Sequence, residues 1–380
     1  MVQTATQKER QQDNLRLGFL QRDDLIVIGW VLGIKVLLFL LVVKSYPILW
    51  DKSLSSPRDW FGTWNHWDSV HYQQIAQSGY SATGVTKSFY PLFPWAIRFV
   101  AYFINSYLIA AFVVSGIASL FAAVLLRKLV SLDYSANTAM LSVWFFLIFP
   151  TAYFLHIGYS ESLFLAFALG SILAARVERW WVAGVLGALC WMTRAPGAVL
   201  VPALGVEALQ QWWAKRRWNW QWLWIALVPL GFVVYLLINW QIAGDPFAFL
   251  QARKTLFIQS FAPPWRGIHE ALLDFRRNPN QAEMVGAQEV YFAALGLICT
   301  IISWIKLRPM YAVWMTGCWL LYTSVTFLQS VPRYTLTMFP IFILFALLGR
   351  NRFWAGVLTV CSLLFFALFA IQAARGWWAF

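Results

Sequence analysis

Long apolar runs alternate with short polar or basic segments along most of the chain. The first run, residues 25–43, is about 19 residues long, enough for a helix to span a lipid bilayer. Runs of similar character predict further spans, at 107–126, 137–156, 161–175, 222–242, 289–305, 310–328, 335–349 and 353–372. Together with the interrupted run described next, the pattern predicts an all-α polytopic membrane protein of about eleven transmembrane segments.

The apolar run at 180–209 is interrupted by the sequence T-R-A-P-G at 193–197. Pro196 lacks a backbone N–H, and such a break at membrane depth is tolerated only where it is buried in protein or lines a cavity. We therefore predict two short segments that meet at the break, rather than one straight span.

The polar segments predict the topology. Residues 1–24 read as a basic cytoplasmic tail and residues 25–380 as a single integral-membrane domain. Basic clusters recur at alternate helix ends, at 127–128, 176–179, 215–217, 306–308 and 350–352. The positive-inside rule places these ends on the cytoplasmic face with the tail. Two long loops with amphipathic helices, 44–105 and 243–288, then lie on the opposite face.

Composition excludes a soluble protein. Of the 380 residues 60% are hydrophobic and only 12% are charged, whereas a soluble domain carries about 25% charged residues. A net charge of +13 would suggest a nucleic-acid partner in a soluble protein. Here the positive-inside rule and contact with anionic membrane lipids explain it, and we expect no nucleic acid.

The segment 60–94 has an unusual composition for a connector, because connectors in water are normally small and polar. From Trp60 to Tyr80 it holds one carboxylate, Asp68, surrounded by aromatic residues and histidines: Trp64, His66, Trp67, His71 and Tyr72. A carboxylate in a partly dry cleft can act as a general base toward a hydroxyl group. Asp68 could instead simply cap or begin a short amphipathic helix.

Other polar residues near helix ends fall on the same predicted face. Glu161 stands where a helix enters the membrane, where a charge is costly and is a functional candidate by default, or else it only complements the helix dipole. Arg194 and Arg333 could bind a phosphate bidentately. They could instead snorkel to the interface or pair with Glu161 or Asp245.

Other chemistry has little support in the sequence. The four histidines, His66, His71, His156 and His269, match no metal-binding spacing, and interfacial hydrogen bonding explains them better. The four cysteines lie in apolar runs, which indicates small apolar residues without disulfides. No glycine-rich phosphate loop is present, so a nucleotide is not an obvious donor.

Several motifs together resemble the PIG-V family, the glycosylphosphatidylinositol mannosyltransferase 2-like enzymes of the GT-C superfamily. They occur in order between about residues 60 and 340: W-D-S-V-H-Y-Q-Q-I-A-Q-S-G-Y, F-Y-P-L-F-P, G-Y-S-E-S-L-F-L, T-R-A-P-G, G-D-P-F-A-F and P-R-Y. The resemblance implies a GT-C bundle whose first outer loop carries a catalytic aspartate, which maps onto Asp68 beside Trp67.

The same resemblance implies an inverting transfer, usually of mannose, from a polyprenyl-phosphate donor to a lipid-linked acceptor, without metal or cofactor. The expected substrate-binding residues are Trp64, His66, Trp67, Tyr72, Tyr90, His156, Glu161, Arg194, Asp245, Arg333 and Tyr334. The protein is then expected in a bacterial plasma membrane, or an ER membrane, with a periplasmic or luminal site. The alternative is a lipid or small-molecule transporter or flippase, with its site at the broken 180–209 segment.

Overall fold

A computed structural model describes residues 20–50, 53–277 and 284–379. The described residues form seventeen α-helices and no β-strand, apart from one isolated bridge between Phe261 and Val325. The all-α prediction is therefore confirmed for this part of the chain. Most of the predicted tail 1–24 lies outside the described residues, and the first helix begins at Arg22.

In chain order the helices are α1 (Arg22–Trp50), α2 (Pro57–Gly62), α3 (Asp68–Ser78), α4 (Leu92–Ile104), α5 (Tyr107–Ser131), α6 (Ala136–Leu147), α7 (Glu161–Arg176), α8 (Trp180–Trp191), α9 (Leu200–Lys215), α10 (Leu230–Ala243), α11 (Ala248–Leu256), α12 (Pro264–Arg277), α13 (Ala287–Lys306), α14 (Pro309–Thr323), α15 (Val331–Thr335), α16 (Pro340–Leu348) and α17 (Arg352–Ala374). Short 3-10 turns lie at Thr86–Ser88, Ala152–Leu155, Ala195–Val199 and Trp220–Leu227.

Five helical segments are long and apolar enough to cross a membrane: α1, α5, the segment Trp220–Ala243 that ends in α10, α13 and α17. Some other predicted spans are divided. The run 137–156 is divided at Pro150 into α6 and a 3-10 turn. In the run 335–349, residue 335 is the last of α15, and a separate helix, α16, begins at Pro340. Proline removes a helical hydrogen bond and clashes with the preceding turn, which hydropathy does not register. The number eleven stays a prediction.

The predicted break at 193–197 is present. Helix α8 ends at Trp191, a 3-10 turn covers Ala195–Val199, and α9 starts at Leu200. A Cβ on Gly197 would lie 2.4 Å from the Cα of Trp191. Only glycine therefore fits where the chain folds back on the end of α8.

Charged residues collect at the two ends of the bundle. At the basic end, ion pairs join neighbouring helix ends: Arg127 with Asp24 at 2.6 Å, Arg176 with Asp133 at 2.7 Å, and Arg308 with Glu207 at 2.8 Å. Helix α7, of 16 residues, carries Arg176 at this end and Glu161 at the other, about 22 Å away. The polar residues discussed next surround that second end.

Candidate active site

Four charged side chains from distant parts of the chain form one connected chain of ion pairs. Arg333 donates from Nη1 to Oδ2 of Asp68 at 2.5 Å and from Nε to Oε1 of Glu161. Arg194 donates from Nη1 to the same Glu161 oxygen at 2.5 Å. Two carboxylates thus neutralise two guanidinium groups, so that the buried Glu161 and Arg333 are each paired with opposite charge.

The four ion-paired side chains differ in their exposure to solvent. The side chain of Glu161 is fully buried and that of Arg333 is 2% exposed, whereas that of Asp68 is 29% exposed. Rings cover the buried guanidinium: Arg333 lies 4.9 Å from the ring centroid of Phe154 and 4.7 Å from that of Tyr159. Of the two carboxylates in this set of ion pairs, Asp68 is therefore the one that a substrate can reach.

Unusual backbone precedes both residues of the Asp68–Arg333 pair. Trp67, immediately before α3, has a φ of 52°, and Ser330, immediately before α15, has a φ of 60°. Residues with side chains rarely adopt such angles, and they persist where surrounding contacts hold them, often at functional sites. Asp68 is the first residue of α3, as the sequence suggested, but Trp67 makes no side-chain cap there.

A cavity of about 330 Å³ opens beside Asp68. Its wall combines α3, the break after α8, α11 and the segment around α15. The residues that line it include Trp67, Asp68, His71, Tyr72, Phe89, Tyr90, Arg194, Pro196, Arg253, Gln259, Tyr322, Tyr334 and Trp378. A space of this size, walled by aromatic rings and a few charged groups, is typical of a small-molecule site.

Neighbouring rings hold the aromatic wall in place. Tyr90 stacks on Tyr235 with centroids 4.2 Å apart, and Tyr334 stacks on Tyr322 at 4.8 Å. Arg194 lies 5.4 Å from the Tyr334 ring centroid. These contacts fix the ring orientations before any ligand binds, which favours recognition of a flat or ring-shaped group.

Tyr72 and Ser160 link the cavity to the buried charges. Their hydroxyl groups share a 2.9 Å hydrogen bond, and Arg194 also donates to the Ser160 oxygen at 2.9 Å. Burial, with a smaller contribution from the negative charge of Asp68, raises the pKa of Tyr72 to about 12. The phenol is therefore neutral at physiological pH and serves as a hydrogen-bonding group.

Arg253 of α11 is a cation that the sequence reasoning missed. It lines the cavity, and its Nη2 donates to the neutral side chain of Gln259 at 3.1 Å. Among the described residues no carboxylate forms an ion pair with it. The charges of the two carboxylates and two arginines described above cancel, so Arg253 gives the cavity a net positive charge. A signal was available, since Arg253 and Lys254 are basic residues in a predicted non-cytoplasmic loop.

The structure separates the predicted site residues into groups. Trp67, Asp68, Tyr72, Tyr90, Arg194 and Tyr334 line the cavity, while Glu161 and Arg333 stand directly behind its wall. Both arginines pair with Glu161, which is one of the alternatives drawn from the sequence. Neither arginine pairs with Asp245.

Four predicted residues do not line the cavity. Trp64 is buried against Tyr153, with centroids 6.2 Å apart, and His156 is fully buried. The Nε2 of His66 lies 3.3 Å from the carbonyl oxygen of Ala374. Asp245 is exposed and accepts from the backbone N–H of Phe247 at 2.9 Å, a local turn contact. Trp64 and His66 are close to Asp68 in the sequence, yet their side chains do not face the cavity.

Within residues 20–50, 53–277 and 284–379, no three His, Cys, Asp or Glu side chains are grouped so that they could hold a metal ion.

Two solved structures resemble the chain over most of its length. Archaeal oligosaccharyltransferase AglB from Archaeoglobus fulgidus, in complex with an inhibitory peptide and a dolichol-phosphate, is 10% identical with a TM-score of 0.45, over 92% of this chain and 56% of that one. ArnT from Cupriavidus metallidurans in the apo state is 16% identical with a TM-score of 0.45, over 86% and 61% respectively. The chain thus spans less than two thirds of their length.

No curated protein matches the chain by sequence. A family model described as Mannosyltransferase (PIG-V) matches residues 42–252, more than half of the chain. The match includes Asp68, Glu161, Arg194 and the first half of α11, but stops before Arg253 and Arg333. The chain belongs to the PIG-V mannosyltransferase family.

Proposed function

We propose that the protein transfers a sugar, most simply mannose, from a polyprenyl-phosphate donor to a hydroxyl group of a lipid-linked acceptor. Asp68 is the general base, and the reaction inverts the configuration at the sugar carbon. The cavity lies at the end of the bundle opposite the basic clusters, which supports a site on the non-cytoplasmic side. The observation that carries the proposal is the accessible carboxylate of Asp68 in an aromatic cavity, held by a buried arginine.

The transfer step exchanges one bond for another at the sugar carbon. The acceptor oxygen forms a bond to the sugar carbon as the bond from that carbon to the phosphate oxygen breaks. Asp68 takes the proton of the acceptor hydroxyl group, and the lipid leaves as a phosphate monoester with one more negative charge. A base positioned in this way typically contributes a factor of about 10²–10⁴ to the rate.

Arg333 positions the base. Its Nη1 holds one oxygen of Asp68, Oδ2, and we propose that Oδ1 accepts the proton. Because Arg333 is buried and also bonded to Glu161, the carboxylate orientation does not have to be set when the substrate arrives. Preorganisation of this kind avoids reorganisation during the reaction.

Arg194 and Arg253 are the cavity cations that face the donor phosphate in this proposal. Arg194 is already bonded to Glu161, whereas Arg253 has only the neutral Gln259 as its described hydrogen-bond partner. Arg253 therefore supplies the uncompensated charge that the leaving phosphate requires. A guanidinium can donate two parallel hydrogen bonds to a phosphate. The aromatic wall would seat the sugar rings.

The direct test is transfer of labelled mannose from polyprenyl phosphate to a lipid acceptor by the purified protein in detergent or nanodiscs. Wild-type protein should transfer the label, and Asp68→Asn should not, while eluting as the same monodisperse species. Asp245→Asn is the matched control, because that exposed carboxylate lies outside the cavity. Equal activity of the Asp68→Asn variant would refute the assignment of the base.

A transporter is the second candidate, and one observation favours it: the helix break contributes Arg194 and Pro196 to the cavity wall. Broken helices often form transporter binding sites. In that case reconstituted vesicles would move a labelled sugar lipid across the bilayer without any transfer to an acceptor. Accumulation of the glycosylated acceptor, with the donor phosphate released, would exclude a purely transporting protein.

A further inference from the structure

A second cavity, which we term the lateral groove, lies between α5, α7 and α8 and has a volume of about 820 Å³. Its apolar wall includes Val114, Phe121 and Leu125 of α5 and Leu163, Phe167 and Gly170 of α7. It shares no lining residue with the cavity beside Asp68. The groove is therefore a separate feature of the bundle.

Helix α7 presents small residues to the groove. On α7 the lining residues recur every three or four positions, so they form one stripe down the helix. Ala166, Gly170 and Ala174 belong to this stripe, and their small side chains leave room that larger ones would fill. On α5, Phe121 is 60% exposed at the rim. An apolar rim of this kind suits contact with lipid chains.

The polar residues of the groove are confined to its end at the basic side of the bundle. Three cations, Arg127, Lys128 and Arg179, line that end together with one acid, Asp23. Asp24, which pairs with Arg127 and lies 3.8 Å from the Nζ of Lys128, adds a second negative charge nearby. Three positive charges against two negative ones leave a net charge of +1. This end favours an anion.

The dimensions fit one lipid chain. Between Val114 and Lys128, α5 advances 14 residues, or about 21 Å. One leaflet contributes about half of a hydrocarbon core of about 30 Å. An acyl chain whose headgroup is anchored at Lys128 therefore fits within the apolar part of the groove.

We propose that the lateral groove binds an anionic glycerophospholipid of the leaflet at the basic end. One acyl chain lies along α5 and α7, and the phosphate contacts Lys128 and Arg179. Arg127 is engaged with Asp24 and Gln21 and shapes the pocket from behind. The headgroup site is at the opposite end of α7 from Glu161, so the lipid is distinct from the sugar donor, and the inference stands whether or not the proposed reaction is right.

The test is native mass spectrometry of the protein released from nanodiscs that contain phosphatidylcholine with phosphatidylglycerol in equal amounts. Wild-type protein should retain one phosphatidylglycerol in preference to phosphatidylcholine. The double variant Lys128→Gln/Arg179→Gln should bind phosphatidylglycerol more weakly by on the order of tenfold. The matched control is Arg217→Gln/Arg352→Gln, which removes two exposed arginines outside the groove and should retain the lipid.

A second variant tests the apolar part without changing charge. Ala166→Trp should fill the groove and reduce the retained phosphatidylglycerol, while the circular dichroism spectrum stays that of wild type. Equal retention of both lipids by the wild type would overturn the proposal. The proposal would also be overturned if the Lys128→Gln/Arg179→Gln variant and the control double variant lost phosphatidylglycerol equally. That outcome would indicate an effect of general surface charge alone.

Discussion

Asp68 and Arg333 lie 265 positions apart in the sequence and meet in a hydrogen-bonded ion pair at 2.5 Å. Each is presented by a short helix preceded by a residue with positive φ, Trp67 and Ser330. The pair has one accessible member and one buried member. This asymmetry suits a base whose orientation is fixed by a group that the substrate does not touch.

Asp68→Asn should reduce sugar transfer by a factor of about 10²–10⁴, because the amide cannot accept the acceptor proton. The substitution keeps the shape of the side chain, so Arg333 retains an oxygen partner and the fold should persist. The measurement is single-turnover transfer of labelled mannose. A loss of less than threefold would show that the proton goes elsewhere.

Arg333→Lys should lower kcat at least about tenfold, with little change in KM for the donor. A lysine keeps the positive charge but cannot hold Asp68 and Glu161 in one planar fork. Steady-state kinetics with varied donor separates the two constants. An effect confined to donor KM would instead identify Arg333 as a phosphate ligand.

Arg253→Gln should raise KM for the polyprenyl-phosphate donor by about tenfold or more, since a charge-assisted hydrogen bond to phosphate is lost. The acceptor KM should stay near the wild-type value. Lys254→Gln is the matched control, because this neighbouring residue does not line the cavity. If both variants behave alike, the effect comes from the charge of the loop rather than from a contact with the donor.

Glu161→Gln should destabilise the protein by about 3–5 kcal/mol, because the buried Arg333 and the cavity-lining Arg194 lose their shared carboxylate. Thermal unfolding monitored by intrinsic fluorescence in detergent gives the comparison. Glu207→Gln serves as the control: Glu207 is also buried and accepts from Arg308 at the opposite end of the bundle. Both variants should lose stability, and only Glu161→Gln should lose transfer activity per folded molecule.

Gly197→Ala should destabilise the fold by about 1–3 kcal/mol, the usual range for overpacking. The added Cβ would lie 2.4 Å from the Cα of Trp191, and backbone cannot give way as a flexible side chain can. Gly205→Ala is the control, since a Cβ there meets nothing within 4 Å. Equal melting temperatures for the two variants would contradict the close contact described.

The sequence alone determined the features that depend on local patterns. Low charge and long apolar runs indicate a membrane protein, and a proline inside an apolar run predicts the break at 193–197. The pattern W-D-S-V-H-Y offers a helix cap or first-turn position as one of two alternatives for Asp68, and Asp68 is the first residue of α3. Each of these follows from a few neighbouring residues, whose preferences act over one or two helical turns.

Only the tertiary structure decided which side chains meet. It joined Arg194 and Arg333 through Glu161, placed Arg253 in the cavity, and turned Trp64, His66, His156 and Asp245 away from it. Pro150 and Pro340 divide helices that the hydrophobic pattern predicts as continuous spans. Such outcomes depend on how helices pack against each other, and a contact between residues 265 positions apart leaves no mark in the hydrophobic pattern around either one.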